Sequence, residues 1–477
     1  MSHQIKANYD QGFLLPPSLE EWISEDHPVR FIREFVNQLD LKELGFKVED
    51  NDEGRPFYSS DMLLKIWLYG YFNRVRSPRQ LEKRCKENIS VLWLTGMNYP
   101  DHNTIWRFWK FNKSKFRDVF KQSVTIAKNL GLIDMTLNAL DGTKIKSYSS
   151  NSGVLNKNRL EKLLKQTDEI IKEIESEIEA VGEAEEGEDG YSLPEKLRDK
   201  VELKKKISEE LQELKQIDRE NFHPQENEAR IMKTSGKREL SYNAQAVVDS
   251  KHQLIIGQDV INNENDAESL VPMIKNVEEI TELKAELTIA DSGYATGEQL
   301  YEAEQNKSEV LFSVTEKSNI TTATREDEPF HSSNFIYDKE QDVMICPQSK
   351  ELKFYEHTRT KNKKHKVRIY KCKDYESCQF RWQCSKSKTG REVKLNPFYE
   401  SIERQRFKQQ DNVNKEKLKR RKQLIEPVFG WIKEGAQFRR FTVKGLESAK
   451  QQWSMICTGI NLKKMHKLWV NKELKFT

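Results

Sequence analysis

Leu287-Thr288-Ile289-Ala290-Asp291-Ser292-Gly293-Tyr294 opens as a short apolar, β-branched run and stops at a carboxylate. Such a run is long enough for a buried strand. Ser292 and Gly293 turn the chain, and Thr296 stands where it can cap a helix starting near Gly297. The stretch therefore predicts Asp291 at the C-terminal end of a core strand, facing the crevice where open α/β sheets hold their ligands. An Asp that merely starts a turn gives the same local pattern, because strand-Asp-Ser-Gly turns are common.

Upstream the pattern recurs. Met135-Thr136-Leu137-Asn138-Ala139-Leu140 reads as a strand and ends in Asp141-Gly142-Thr143-Lys144, again strand, carboxylate, turn. Between the two aspartates, Tyr242 to Val248 and Leu254 to Gly257 read as strands joined by the hairpin-turn residues Asp249-Ser250-Lys251-His252. A helix is expected from Asp266 to about Ile280, and a further strand at Val310-Leu311-Phe312-Ser313-Val314. Three antiparallel strands followed by parallel ones make a mixed α/β sheet, as in ribonuclease H-like folds.

Residues 1–130 read as helical. Ser18 can cap a short turn, Pro28 begins a helix through Phe31, Ile32, Phe35 and Val36, and Ser59-Ser60-Asp61 precedes another through Trp67 and Tyr71. Ser77-Pro78 and Pro100-Asp101-His102-Asn103-Thr104 open two more. Short helices studded with Arg and Lys suit a helix-turn-helix-like DNA-binding unit. His102 is a ligand, a base, or part of a helix-entry motif; the last suits its place after Asp101.

Two stretches interrupt the sheet. In residues 155–220, Leu160, Leu163, Leu164, Ile170, Ile171 and Ile174 recur at helical spacing, a Gly- and Glu-rich break follows (Gly182 to Gly190), and Ile207, Leu211 and Leu214 resume. This predicts an antiparallel helical hairpin of coiled-coil type. Residues 321–400 are polar and basic and hold Cys346, Cys372, Cys378 and Cys384. The last three lie six apart with no C-x-x-C pair. Thiolates favour Zn²⁺, so a zinc site is one reading and buried free thiols the other.

Composition sets the remaining bounds. The chain has 477 residues, suited to several domains, with 33% charged and 36% apolar residues. No apolar run approaches the ~18 residues of a membrane span, and Met1 to Asp10 are too polar for a signal-peptide core. Six cysteines in so long a chain are no disulfide framework, which fits the reducing cytoplasm. Residues 155–190 carry 12 acidic against 5 basic side chains, whereas residues 401–477 carry 19 basic against 7 acidic. Basic charge beside Phe429, Trp431, Phe438 and Phe441 points to nucleic acid over a merely solvated face.

Glu426 follows a basic helix from Glu416 to Ile425 and precedes Pro427, which either lies in a first helical turn or kinks the helix. A closing helix is expected from Leu446 to about His466. With Asp141 and Asp291 on adjacent strands, Glu426 is the best third carboxylate. Three converging carboxylates repel unless cations join them, and Mg²⁺ or Mn²⁺ are the hard ions that oxygen ligands prefer.

These residues resemble a known family. Ser60-Asp61-Met62-Leu63-Leu64-Lys65, Tyr69-Gly70-Tyr71, Ser77-Pro78-Arg79, Pro100-Asp101-His102-Asn103-Thr104-Ile105, Leu140-Asp141-Gly142-Thr143, Ala229-Arg230-Ile231-Met232, Tyr242-Asn243-Ala244-Gln245, Ala290-Asp291-Ser292-Gly293-Tyr294 and Ile425-Glu426-Pro427-Val428-Phe429-Gly430, in that order, are similar to segments of bacterial insertion-sequence transposases of the DDE class. The resemblance implies a ribonuclease H-like catalytic core formed by residues 131–154, 221–320 and 401–466. It implies Asp141, Asp291 and Glu426 as ligands of Mg²⁺ or Mn²⁺, and Lys433 as a contact to the transposon end. Lys144, Arg420, Arg421, Lys422, Arg439 and Arg440 are further expected DNA contacts. Many relatives place Tyr and Arg where this chain has Lys419 and Lys422, and Arg420 and Arg421 lie out of that register.

The function expected is cleavage at the ends of an insertion sequence and joining to target DNA by two-metal phosphoryl transfer. Its expected setting is a homodimer on double-stranded DNA, with no membrane, at the nucleoid in the cytoplasm. Two alternatives stay open: a catalytically inactive, element-derived DNA-binding protein, and a ribonuclease H-like nuclease without strand transfer.

Overall fold

The computed structural model describes residues 18–48, 57–182, 195–216, 221–234, 236–313, 329–359 and 365–474. The polar start Met1 to Asp10, residues 183–190 of the Gly- and Glu-rich break, and Val314 lie outside the described residues.

The N-terminal part is helical, as its caps and spacing predict. It contains α1 (Pro28–Asn37), α2 (Ser60–Phe72), α3 (Pro78–Glu87), α4 (Ile89–Thr95), α5 (His102–Asn112) and α6 (Phe116–Asn129). His27 Nδ1 accepts the Val29 N–H at 3.2 Å and Pro28 occupies the first turn, so α1 starts where a missing N–H costs nothing. Helix α2 is buried at every position from Met62 to Phe72, which makes it an interior helix.

Strand β1 (Asn138–Lys146) comes next. The residue pattern predicts a strand that stops at Leu140 and a turn at Asp141-Gly142. The strand instead begins at Asn138, after a left-handed Met135 (φ +59°), and runs on through Asp141. Its pairing partner explains the difference: the strand Lys237–Asp249 lies antiparallel along all of it, from Asn138↔Asp249 to Lys146↔Ser241.

A two-residue strand β2 (Leu155–Asn156), helices α7 (Lys157–Gly182) and α8 (Glu195–Gln216), and strand β3 (Asn221–Phe222) follow. Leu160 near the start of α7 packs with Ile207, Leu211 and Leu214 near the end of α8, so the two helices run antiparallel. Lys204 pairs with Asp168 at 2.8 Å across them.

The main sheet is completed by β4 (Arg230–Thr234), β5 (Lys237–Asp249), β6 (Ile255–Ile261), β7 (Thr288–Asp291) and β8 (Val310–Ser313), with α9 (Leu270–Thr281) and α10 (Gly297–Gln305) between the last strands. Strands β6, β5, β1, β7 and β8 lie in that order. Strand β5 is antiparallel to β6 and β1, while β7 and β8 run parallel to β1. This is the mixed order expected. Helix α9 starts four residues later than Asp266, and Asp266 is left in the preceding loop.

A second sheet is formed by β9 (Ile336–Asp338), β10 (Val343–Ile345), β11 (Glu351–Arg359), β12 (Lys366–Lys371) and β13 (Glu392–Leu395), all antiparallel, with one helical turn, α11 (Arg381–Cys384). The chain ends with α12 (Tyr399–Gln410), α13 (Asn412–Gly430), a π-helical turn at Trp431–Gly435 and α14 (Leu446–Val470).

Helix α14 is the pillar. It is buried almost without break from Ser448 to Leu462 and packs on α2, α6 and β6. Gly459 permits the approach to α2, since a Cβ there would stand 3.3 Å from the Tyr71 backbone. Asn461 donates to the Ile255 carbonyl (2.8 Å) and accepts from its N–H (2.9 Å), and Trp453 donates to the Gln245 carbonyl (3.0 Å). One continuous hydrophobic cluster joins the N-terminal helices, the main sheet and α14.

Candidate active site

Asp291 ends β7, as its sequence predicted, and Thr296 caps α10 by accepting the Gln299 N–H at 3.3 Å. Strands β1 and β7 pair in parallel through Asn138↔Thr288 and Ala139↔Ile289. Two residues further on, the same register sets Asp141 level with Asp291. There β7 stops, and the freed edge of β1 is taken up later by the segment after the π-helical turn, where Lys146 N–H donates to the Arg439 carbonyl at 3.1 Å. The two aspartates thus stand side by side at the point where the sheet opens.

A guanidinium fills the space between them. Arg421 Nη1 donates to Asp141 Oδ2 at 2.7 Å, and Nη2 lies 3.6 Å from Asp291 Oδ2. The Arg421 side chain is only 7% exposed, Asp141 21% and Asp291 44%. Helix α13 lies across β1, β7 and β8, which sets Arg421 on its inner face with Leu424, Ile425 and Val428. Burial pushes the Asp141 carboxyl up, and Arg421 and the Gly142 N–H (2.8 Å) pull it back. Arg421 was expected against DNA. It is buried instead, because the helix face it shares with Leu424 and Ile425 turns to the sheet.

Glu426 does not join this pair. It is exposed on α13, and among the described residues no group of three or more His, Cys, Asp or Glu stands close enough to hold a metal ion. Five residues on an α-helix turn through about 140° beyond a full revolution, so Arg421 and Glu426 point to different sides. Pro427 lies inside α13, three residues before its end, and does not interrupt it. Lacking an N–H, it leaves the Gln423 carbonyl without its helical donor, and Gln253 Nε2 donates to that carbonyl at 3.2 Å.

A third acidic group that the sequence did not single out lies beside the aspartates. Asp266 Oδ1 accepts from Asn243 Nδ2 (2.6 Å) and Gln245 Nε2 (2.7 Å), and Lys144 Nζ lies 3.7 Å away. Gly142 is the reason it fits, since a Cβ there would meet Asp266 Oδ1 at 2.8 Å. Tyr294, buried, donates to Gln245 Oε1, and its hydroxyl is pushed well up by burial and by Asp266 and Asp141. Asp266 sits in an Asn- and acid-rich run that reads as a helix entry, so only its three-dimensional neighbours distinguish it.

The expected basic contacts divide into two sets. Lys144 and Lys433 border the site: burial lowers both ammonium groups, while Asp141 pulls both back up. Arg420, Lys422, Arg439 and Arg440 are exposed. Arg439 pairs with Glu434, and Arg440 Nη1 donates to the Tyr148 carbonyl at 3.2 Å. His102 opens α5, whose cap is Asp101 (Thr104 N–H to Oδ1, 2.7 Å), and its Nδ1 meets Glu82 at 2.7 Å. It is a helix-entry residue far in sequence from the aspartates.

A mixed sheet of this order, with paired aspartates at its opening, has the arrangement of a ribonuclease H-like core. Residues 17–110 match a transposase domain (DUF772), and residues 345–466 match a transposase DDE domain. The two matches support an insertion-sequence transposase of the DDE class, the resemblance that the motifs carry. The second match contains Glu426, Lys433 and the four cysteines. No curated protein matches the chain. Among the described residues no helix is long and apolar enough to cross a membrane.

Proposed function

We propose that this chain cuts DNA at the ends of an insertion sequence and joins those ends to target DNA. Asp141 and Asp291 would hold a divalent cation, and Glu426 would complete the ligand set. The observation that carries this is the pair of level aspartates gathered around one buried positive charge. Such a donor set, carboxylate oxygens from neighbouring strands already sharing a cation, fits a hard ion such as Mg²⁺ or Mn²⁺. When bound, the ion would act as a Lewis acid toward the phosphate and activate the attacking oxygen. Lys144 and Lys433 are the side chains beside Asp141 that would hold phosphate oxygens. Glu426 can take the place of Arg421 only if α13 turns, and the π-helical turn at Trp431–Gly435 holds a residue in excess of α-helical spacing, which a turning helix can take up.

A labelled duplex carrying the element's end tests the proposal. With Mg²⁺, Asp141→Asn and Asp291→Asn should bind the duplex and lose cleavage and joining by ~10²–10³ or more. Glu426→Gln should do the same, while Glu434→Gln cuts nearly normally. Variants that cut like wild type would sink the assignment. The outward position of Glu426 favours a second reading, an inactive DNA-binding derivative, and wild-type protein that binds ends yet never nicks them would establish it.

A further inference from the structure

Four of the six cysteines share one pocket of the second sheet. Cys346 follows β10, Cys372 follows β12, Cys378 lies in the next loop and Cys384 ends α11, and all four line one cavity of about 40 Å³. The other two, Cys85 and Cys457, are buried in the main core. We propose that Cys346, Cys372, Cys378 and Cys384 bind one zinc ion as a structural site of the second sheet.

Three independent features point the same way. The first is hydrogen bonding to sulfur. Cys346 Sγ accepts the backbone N–H groups of Gln348 and Lys350, both at 3.3 Å. A thiol is a weak acceptor, whereas N–H groups aimed at sulfur favour the thiolate, the form that ligates metal.

The second is charge. Four thiolates around Zn²⁺ carry a net −2, and Lys350, Arg381 and Arg391 line the same cavity. The buried Nε atoms of Arg381 and Arg391 have no hydrogen-bond partner. An anionic cluster gives these donors what the protein alone does not.

The third is the size of the core. The second sheet has its own hydrophobic cluster of only Phe335, Met344, Leu352, Tyr370 and Val393, with Cys346, Cys372 and Cys384 packed at its margin. A cluster that small seldom holds a unit of this size together without a staple.

Soft sulfur ligands in fourfold number select zinc over the hard ions proposed at the aspartates. As they stand, no three of the thiols close on a common point. Binding would draw them in, and any proton displaced from sulfur would pass to solvent.

The full chain, freshly purified without added metal, should contain about one zinc per molecule. Cys378→Ser should lose most of it, and Cys85→Ser should keep it. Should Cys378→Ser fail to fold, cobalt exchanged into the wild-type chain should give a thiolate-to-metal charge-transfer band, which zinc abolishes. A metal-free preparation whose four insert thiols react equally fast with and without chelator would overturn the proposal. None of these readouts depends on DNA cleavage, so the zinc site and the catalytic assignment stand or fall separately.

Discussion

Arg421 and its two aspartates show what a single side chain contributes here. A guanidinium that is 7% exposed is tolerable only because Asp141 accepts from it directly and Asp291 lies within ion-pair reach. Arg421→Ala leaves two neighbouring carboxylates to repel each other. The expected loss is about 1–3 kcal/mol, below the ~3–5 kcal/mol of a fully buried pair, because water reaches Asp291. Mg²⁺ should return much of that stability to the variant and add less to wild type, as thermal unfolding with and without the ion would report. A variant indifferent to Mg²⁺ would speak against a cation site. Asp291 was readable in the sequence because an apolar, β-branched run stops at it and the same strand-then-carboxylate pattern recurs at Asp141. Arg421 was passed over in the run Lys419-Arg420-Arg421-Lys422, although it alone of the four stands both three residues before Leu424 and four before Ile425, the spacing that sets it on the apolar face.

Among the elements, α13, α14 and the turn between β5 and β6 act as one unit. Gln253, left-handed at φ +56°, sends its side chain to the Gln423 carbonyl that Pro427 leaves open, and its own carbonyl accepts from Lys464 of α14. Burial lowers the Lys464 ammonium to about 8. The folded protein therefore holds this proton less tightly than the unfolded chain, and stability gained from losing it rises between pH of about 8 and the ordinary lysine range near ~10.4. Lys464→Met should flatten that rise relative to wild type in melting temperatures taken across the interval. An unchanged slope would mean that Lys464 stays charged. The helices themselves were legible from spacing and caps. The fate of Pro427 was not, because Gln253, which satisfies the carbonyl left open, lies 170 residues from Gln423 in the chain. The same holds for β1, whose Asp-Gly looks like a turn and becomes strand only when β5 pairs along it.

The molecule as a whole does not divide where its composition does. Residues 1–130 read as a separate helical unit, yet α2 and α6 bury the faces of α14 that would otherwise meet water. Contacts to DNA are therefore better probed by surface charge than by truncation. Helix α3 exposes Arg79, Lys83 and Arg84 on one side of buried Leu81 and Cys85. Replacing the three with Ala should leave the melting temperature nearly unchanged and weaken binding to element ends. If wild type neutralises six to ten phosphates, its affinity should fall by ~10³–10⁵ between 50 and 200 mM salt, and the triple variant's salt dependence should be shallower. An identical slope would move the contact elsewhere, with the basic residues of 401–477 next in line.

The guanidinium between the aspartates also bears on when the molecule is armed. A site furnished with its own cation folds without a metal and admits none until that cation leaves. Another anion is what draws an arginine off a carboxylate, and DNA offers phosphates in abundance. On the function proposed above, metal entry and DNA contact both displace Arg421, and each raises the other's affinity by the same factor. The resting protein then behaves as a coincidence detector. Magnesium alone would meet a latched door, and breakage of DNA would wait for the one substrate that carries the key.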